Sequence, residues 1–282
     1  MRKLFLAAAA ASALAVSGTS QASLIWGVDQ HNNLFSFDSA APGAVLTAKK
    51  VAVPAGEQVV AIDFRPADGN LYAMTDTGGL YVVNITPSPA NTWPVGNTGT
   101  AVSGVNGTSF GFDFNPVVDR LRVTSDTDIN LRHQVGAATI VDGNINAPYG
   151  NPSVVGAAYL NNFAGTTTTT LFTIDSANDS LNTQNPPNAG TQVVVGPLGI
   201  DVNSEELGFD IESGTNVAYL AANVGPDRRS GLYTVNLATG ATTSLGLIGN
   251  GTLVRDITVV IPEPASLAAL AGLGVLGLRR RV

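Results

Sequence analysis

From residue 24 onward the chain alternates short runs of aliphatic, β-branched and aromatic residues with breaks rich in Gly, Pro, Asn and Asp. No 3.6-residue apolar period is sustained, so the pattern predicts short strands rather than helices. The runs also recur. Val59, Val60, Ile62 and Phe64 surround Asp63; a turn over 65–69 follows, then Leu71, Tyr72 and Met74, then Gly78 and Gly79, then a run over 80–83. A second copy runs through 110–114 with Asp113, 121–124 and 130–132. A third runs through 207–211 with Asp210, 217–220 and 231–235. A weaker copy, 154–159 and 171–174, carries Ala158 where the others carry aspartate. In this register the copies are spaced by 50, 45 and 52 residues.

Four short strands per repeat at this period are the signature of a β-propeller blade. A single blade buries neither face; a ring of blades buries both. That accounts for apolar side chains on both parities of each strand. The N-terminal runs, 24–28 and 33–37, match the second and third strands of a blade, and the missing first strand is found at 253–260, which carries Asp256. The expected fold is therefore all-β: a single propeller of five four-stranded blades, closed by pairing the C-terminal strand into the N-terminal blade. A sixth blade would need a degenerate repeat hidden between residues 161 and 207. Closure removes the open edges that invite aggregation.

The phrases around Phe112, Asp113 and Pro116, around Asp119, Arg120, Arg122 and Val123, at Asn130 and Arg132, from Gln184 to Pro187, and at Gly208 and Asp210 together resemble the bacterial domain of unknown function 4394. The resemblance covers residues 24–260 and implies an exported, propeller-like protein. It supplies no activity and no catalytic residues.

The composition narrows the function. The chain has 282 residues, no Cys, two His and a net charge of -7. Disulfide frames, thiolate nucleophiles and Cys- or His-rich metal sites are excluded, and so few basic residues argue against nucleic acid.

The ends read as addresses. Arg2 and Lys3 precede an apolar run over 4–16, and small residues at Ser20 and Ala22 bracket Gln21. This predicts a signal peptide over 1–22, cut between Ala22 and Ser23 by signal peptidase. At the other end Pro262, Glu263 and Pro264 precede an apolar stretch over 265–278, followed by Arg279, Arg280 and Arg281. That stretch is short for a permanent span, and its basic flank fits a cytoplasmic stop. The arrangement resembles the PEP-CTERM sorting signal of Gram-negative bacteria. It implies transient inner-membrane anchoring over 262–282, processing by an exosortase, and delivery of the 23–261 domain to the cell surface or extracellular matrix. Such systems resemble those of exopolysaccharide producers, which makes extracellular polysaccharide the expected partner. Without the two charged ends the domain keeps nine basic and twenty acidic residues, a net charge of -11.

The sharpest chemical feature is the repeated aspartate: Asp63, Asp113, Asp210 and Asp256. Two placements are open. The carboxylates could face the channel, where they would hold a hard cation such as Ca²⁺ or act as acid and base on a sugar. Alternatively each could cap the backbone of a turn. No other cofactor is expected. Glu205 and Glu206 read as a solvated turn. Asp126, Asp128 and Asn130 begin like a calcium loop, but Leu131 and Ala137 stand where Gly and Glu are needed. His31 and His133 read as surface histidines, and no Gly-x-Ser-x-Gly elbow accompanies them. The expected function is a non-enzymatic binding or structural component outside the cell. The alternative is a carbohydrate-active hydrolase or lyase working through channel aspartates.

Overall fold

A computed structural model describes residues 22–202, 206–224 and 229–261. The strands, in chain order, are β1 (Leu24–Asp29), β2 (Asn33–Asp38), β3 (Ala41–Val51), β4 (Val59–Phe64), β5 (Leu71–Thr75), β6 (Leu80–Val83), β7 (Thr92–Trp93) and β8 (Val95–Asn97). There follow β9 (Phe110–Asn115), β10 (Arg120–Ser125), β11 (Asn130–His133), β12 (Thr139–Val141), β13 (Val154–Tyr159), β14 (Leu171–Asp175), β15 (Ser180–Gln184) and β16 (Gln192–Pro197). The last five are β17 (Leu207–Ile211), β18 (Ala218–Asn223), β19 (Ser230–Val235), β20 (Thr242–Leu247) and β21 (Val254–Val259). Among the described residues the only helical element is one 3-10 turn, Pro187–Ala189.

These strands form five antiparallel meanders arranged in a ring, a five-bladed β-propeller. Blade 1 is the hybrid: β21 pairs with β1 through Gly27 and Ile257, so the last strand is the innermost strand of the first blade. Blades 2 to 5 start at β4, β9, β13 and β17. The stretch between residues 161 and 207 contributes β14, β15 and β16 to blade 4, so among the described residues there is no sixth blade. The outermost strands are exposed and short of apolar alternation, which is why they are faint in the sequence. Blade 1 also carries a fifth strand. β7, from the chain of blade 2, pairs in parallel with β3, and the Trp93 indole donates to the Leu34 carbonyl at 3.1 Å.

Local sequence explains the blade turns. The β9–β10 hairpin turns on Asp119 at φ 50° and the β17–β18 hairpin on Asn216 at φ 58°, and Asp and Asn tolerate this left-handed backbone better than other non-glycine residues. Close approach of innermost strands needs glycine. A Cβ on Gly208 would lie 2.3 Å from the Ile257 nitrogen.

The core lies between blades. Four of the five seams are apolar layers. Trp26, Val28, Ile62 and Phe64 fill the seam of blades 1 and 2, and Met74, Phe112 and Phe114 that of blades 2 and 3. Ile174, Phe209 and Leu220 fill the seam of blades 4 and 5, and Phe35, Phe37 and Tyr219 close blade 5 onto blade 1. The seam of blades 3 and 4 differs: its apolar cluster is only Ala157, Tyr159 and Leu171.

Candidate functional site

The fold gathers two polar constellations near one another. The first is the aspartate register. Asp63, Asp113, Asp210 and Asp256 are 2%, 1%, 3% and 5% exposed, so none is open to a water-filled channel. Each reaches sideways to the innermost strand of the next blade and accepts a backbone N–H. Asp256 accepts from Ile62 at 2.8 Å, Asp63 from Phe114 at 2.9 Å, Asp113 from Tyr159 at 2.9 Å and Asp210 from Val259 at 2.6 Å. Turn capping was the expected structural role; the observed one is a strap from blade to blade. Ala158 breaks the series at the seam of blades 4 and 5, where Asn161 and Asn216 bond reciprocally instead. On the far side of that gap, the Ile211 N–H is taken by Asp210 itself. The Thr258 hydroxyl lies 3.1 Å from both Asp63 Oδ1 and Asp210 Oδ2.

Burying four carboxyls in neighbouring strands favours their neutral forms. Burial pushes Asp63 well above the usual carboxylate range, and repulsion from Asp210 adds to it. Burial does the same to Asp113, with Asp63 and Asp210 adding, and to Asp256. Burial likewise raises Asp210, to about 6, against hydrogen bonds from the Val259 and Ile211 N–H groups and the Thr258 hydroxyl. Asp113 Oδ1 is buried with no hydrogen-bond donor facing it, while the Asp63 side chain is within hydrogen-bonding reach. A proton on Asp113 would give that oxygen a hydrogen bond to make. Among the described residues no three His, Asp or Glu side chains are grouped to hold a metal ion.

The second constellation fills the odd seam. Arg122 is 2% exposed. Its guanidinium donates to Asn130 at 2.6 Å, Asp142 at 2.7 Å and Asn188 at 2.9 Å, and approaches the Tyr159 hydroxyl at 3.5 Å. Arg132 donates to both oxygens of Asp142 and, with Arg122, holds that carboxyl below its ordinary value against the effect of burial. From Asn130 the chain of bonds runs on to Gln184 at 3.1 Å, Gln192 at 2.9 Å and Thr173 at 2.6 Å. Beside it opens a pocket of about 330 Å³ bordered by Asn115 of blade 3 and by Tyr159 and Thr183 of blade 4. Tyr159 joins the two constellations: its N–H serves the aspartate strap, its hydroxyl lies 3.5 Å from Arg122, and the residue borders the pocket.

Sequence reasoning reached Arg122, Arg132 and Gln184 only through the phrases of a resemblance and Asn130 also through a calcium-like spacing, and missed Asp142, Asn188 and Gln192. A signal was present. Across the first hairpin Asp63 faces Tyr72, Ala158 faces Phe172 and Asp210 faces Tyr219, whereas Asp113 faces Arg122. A charged residue at a position otherwise mostly aromatic marks the blade that departs from the repeat.

The remaining candidates separate. Asp126 caps Thr108 and Ser109 while Asn130 lies in the Arg122 network, so the calcium-like residues do not converge. His31 is exposed, but His133 is wholly buried, correcting its reading as a surface residue. Its ring bridges Thr139 at 3.0 Å and Thr100 at 3.3 Å, and burial lowers its pKa. Ala22 is exposed, and Ser23 is buried against Ser39, Glu212 and Tyr219. Glu205 and the sorting residues Pro262, Glu263, Pro264, Arg279, Arg280 and Arg281 lie outside the described residues.

A family model described as a domain of unknown function, DUF4394, matches residues 33–258. No curated protein matches the chain. Among solved structures, the chain is similar to one in a crystal structure of a nidogen/laminin complex, at 12% identity and a TM-score of 0.47, over 85% of this chain and 98% of that one. It is also similar to a protein from Lactobacillus plantarum, at 15% identity and a TM-score of 0.40, over 80% of this chain and 67% of that one.

Proposed function

The chain belongs to this family of unknown function, and from that premise we propose that it is an exported surface or matrix propeller that binds rather than hydrolyses, in association with exopolysaccharide. One observation carries the choice of binding over hydrolysis. All four aspartates of the repeated register are buried and held by backbone N–H groups of neighbouring blades. A glycosidase needs two carboxyls about 5–10 Å apart flanking a bond that substrate and water can reach. Carboxyls strapped between strands cannot approach a glycosidic oxygen without opening the ring.

The route is supported by the sequence at both ends: a leader ending at Ala22, and a tail of Pro262, Glu263 and Pro264, an apolar segment and three arginines. In this reading signal peptidase and an exosortase act on the chain, the tail anchors it transiently in the inner membrane, and the acidic domain is released outside. Cell fractionation tests the route: replacing Pro262 and Glu263 by alanine should hold the protein in the membrane fraction and remove it from the matrix. Asp113→Asn tests the choice of binding. Matrix association should survive it, whereas a turnover that depends on the aspartates would be lost.

A further inference from the structure

The seam of blades 3 and 4 is the only one of the five whose described residues form no large apolar layer, and it is the one that borders the pocket. Dry apolar seams exclude ligands by being full. This seam is held by oriented amides, hydroxyls and one buried ion pair, a surface that tolerates a polar occupant.

The pocket's lining has a definite chemistry. Its apolar and aromatic members are Leu171, Pro187 and Tyr159. Its polar members are Asn115, Thr169, Thr170, Thr183, Gln184 and Asn185. Among the described residues the Thr170 and Thr183 hydroxyls and the Asn185 amide enter no hydrogen bond within the chain. None of the lining residues is charged. On the network beside it, the Arg122 guanidinium is buried and tied to Asp142 at 2.7 Å.

The walls are preorganised. Thr169 donates to the Leu160 carbonyl at 2.6 Å and the Leu160 N–H to the Thr170 carbonyl at 2.9 Å. The Gln184 amide donates to Pro187 at 2.6 Å, and the Asn185 N–H to Thr191 at 2.8 Å. Groups fixed in this way lose little freedom when a ligand arrives.

We infer that this pocket is a subsite for an uncharged, hydroxyl-rich ligand, a short stretch of neutral saccharide. The apolar members suit the C–H groups of a sugar ring, and neutral amides and hydroxyls suit its hydroxyl groups. A uronate or sulfated sugar would meet no cation in the pocket and an acidic protein around it. The volume lies at the small end of ligand sites, room for about one or two sugar rings. The inference rests on the proposed extracellular binding role and names the ligand class and place within it.

The test is titration of the protein released by its exporting host with a panel of neutral hexose tetrasaccharides and a matched panel of uronate tetrasaccharides. At least one neutral member should bind and the uronates should not. The double variant Thr183→Val/Asn185→Ala should weaken that binding by about tenfold or more, because each lost hydrogen bond to the ligand counts. Thr86→Val, on the surface of blade 2, should not. A thermal melt of each variant checks that the fold is unchanged, and Thr170→Arg provides a second, space-filling block. The inference is overturned if no neutral tetrasaccharide binds, if the uronates bind as well, or if the pocket variants bind like the parent chain. Retention of the pocket variant in the matrix is read alongside: retained protein with lost tetrasaccharide binding leaves the extracellular role standing through another surface, whereas a parent chain absent from the matrix removes the role itself.

Discussion

The Tyr159 N–H donates to Asp113 Oδ2 at 2.9 Å across the seam of blades 3 and 4, while Asp113 Oδ1 is buried with no donor facing it. One oxygen of this carboxyl straps two blades together, and the other is left without a donor beside Asp63. The relation has consequences for stability.

Replacing Asp113 by Asn should be close to neutral. The amide oxygen keeps the Tyr159 bond, and the amide NH₂ takes the place of the proton. Replacing it by Ala removes the strap and leaves the Tyr159 N–H buried and unpaired, at a cost of about 1–3 kcal/mol. Urea unfolding of the two variants at pH 5 compares them directly. Equal destabilisation would contradict a neutral Asp113.

The ring should make the protein more stable in mild acid. Unfolded aspartates release their protons near pH ~3.9, whereas burial raises all four in the folded state, Asp210 to about 6. Between those values the folded chain binds more protons than the unfolded one, so this contribution is complete below the unfolded value and declines as pH rises through the folded values. His133 acts in the opposite sense: its lowered pKa gives a contribution present above pH ~6.5 and lost as pH falls. The urea midpoint should drop from pH 5 to pH 8, and less so in Asp63→Asn/Asp113→Asn. A parent midpoint that rises over this range would contradict the buried neutral carboxyls.

Arg122→Met should destabilise the fold by about 3 kcal/mol, because truncating a buried pair strands its partners. Arg122→Lys should rescue little. A single ammonium cannot reach Asn130, Asp142 and Asn188 together, as the planar guanidinium does. Amide exchange should quicken most in β11 and β15, the strands of Asn130 and Gln184. Uniform quickening around the ring would mean that the seam is not held locally.

Ring closure should be all-or-none. A chain ending at Leu253 lacks β21 and with it Asp256, Thr258 and the partner of β1. It should lose its cooperative thermal transition. A chain ending at Ile261 keeps every described strand and should melt like the full protein.

The blade count, the hybrid first blade and the register of the aspartates were all legible in the sequence. Each is a matter of period and of alternation within a few residues. Strands such as β4, with every side chain buried, announce themselves by apolar runs on both parities. Outermost strands such as β12 and β20 are mostly exposed, carry weak patterns and were not individually legible. Neither was β7, whose two residues pair with β3 across some forty residues of chain.

The linear chain thus determined a closed ring of repeats and the four places where an acid recurs. What those acids do was decided only by tertiary structure, because their partners Ile62, Phe114, Tyr159 and Val259 belong to the next blade, at least 46 residues away. The same holds for the polar seam. Arg122 could be read as an oddity in its repeat, but Asp142 and Asn188 lie 20 and 66 residues further on. A buried charge is stable only where packing delivers all of its partners at once, and no local pattern encodes that convergence.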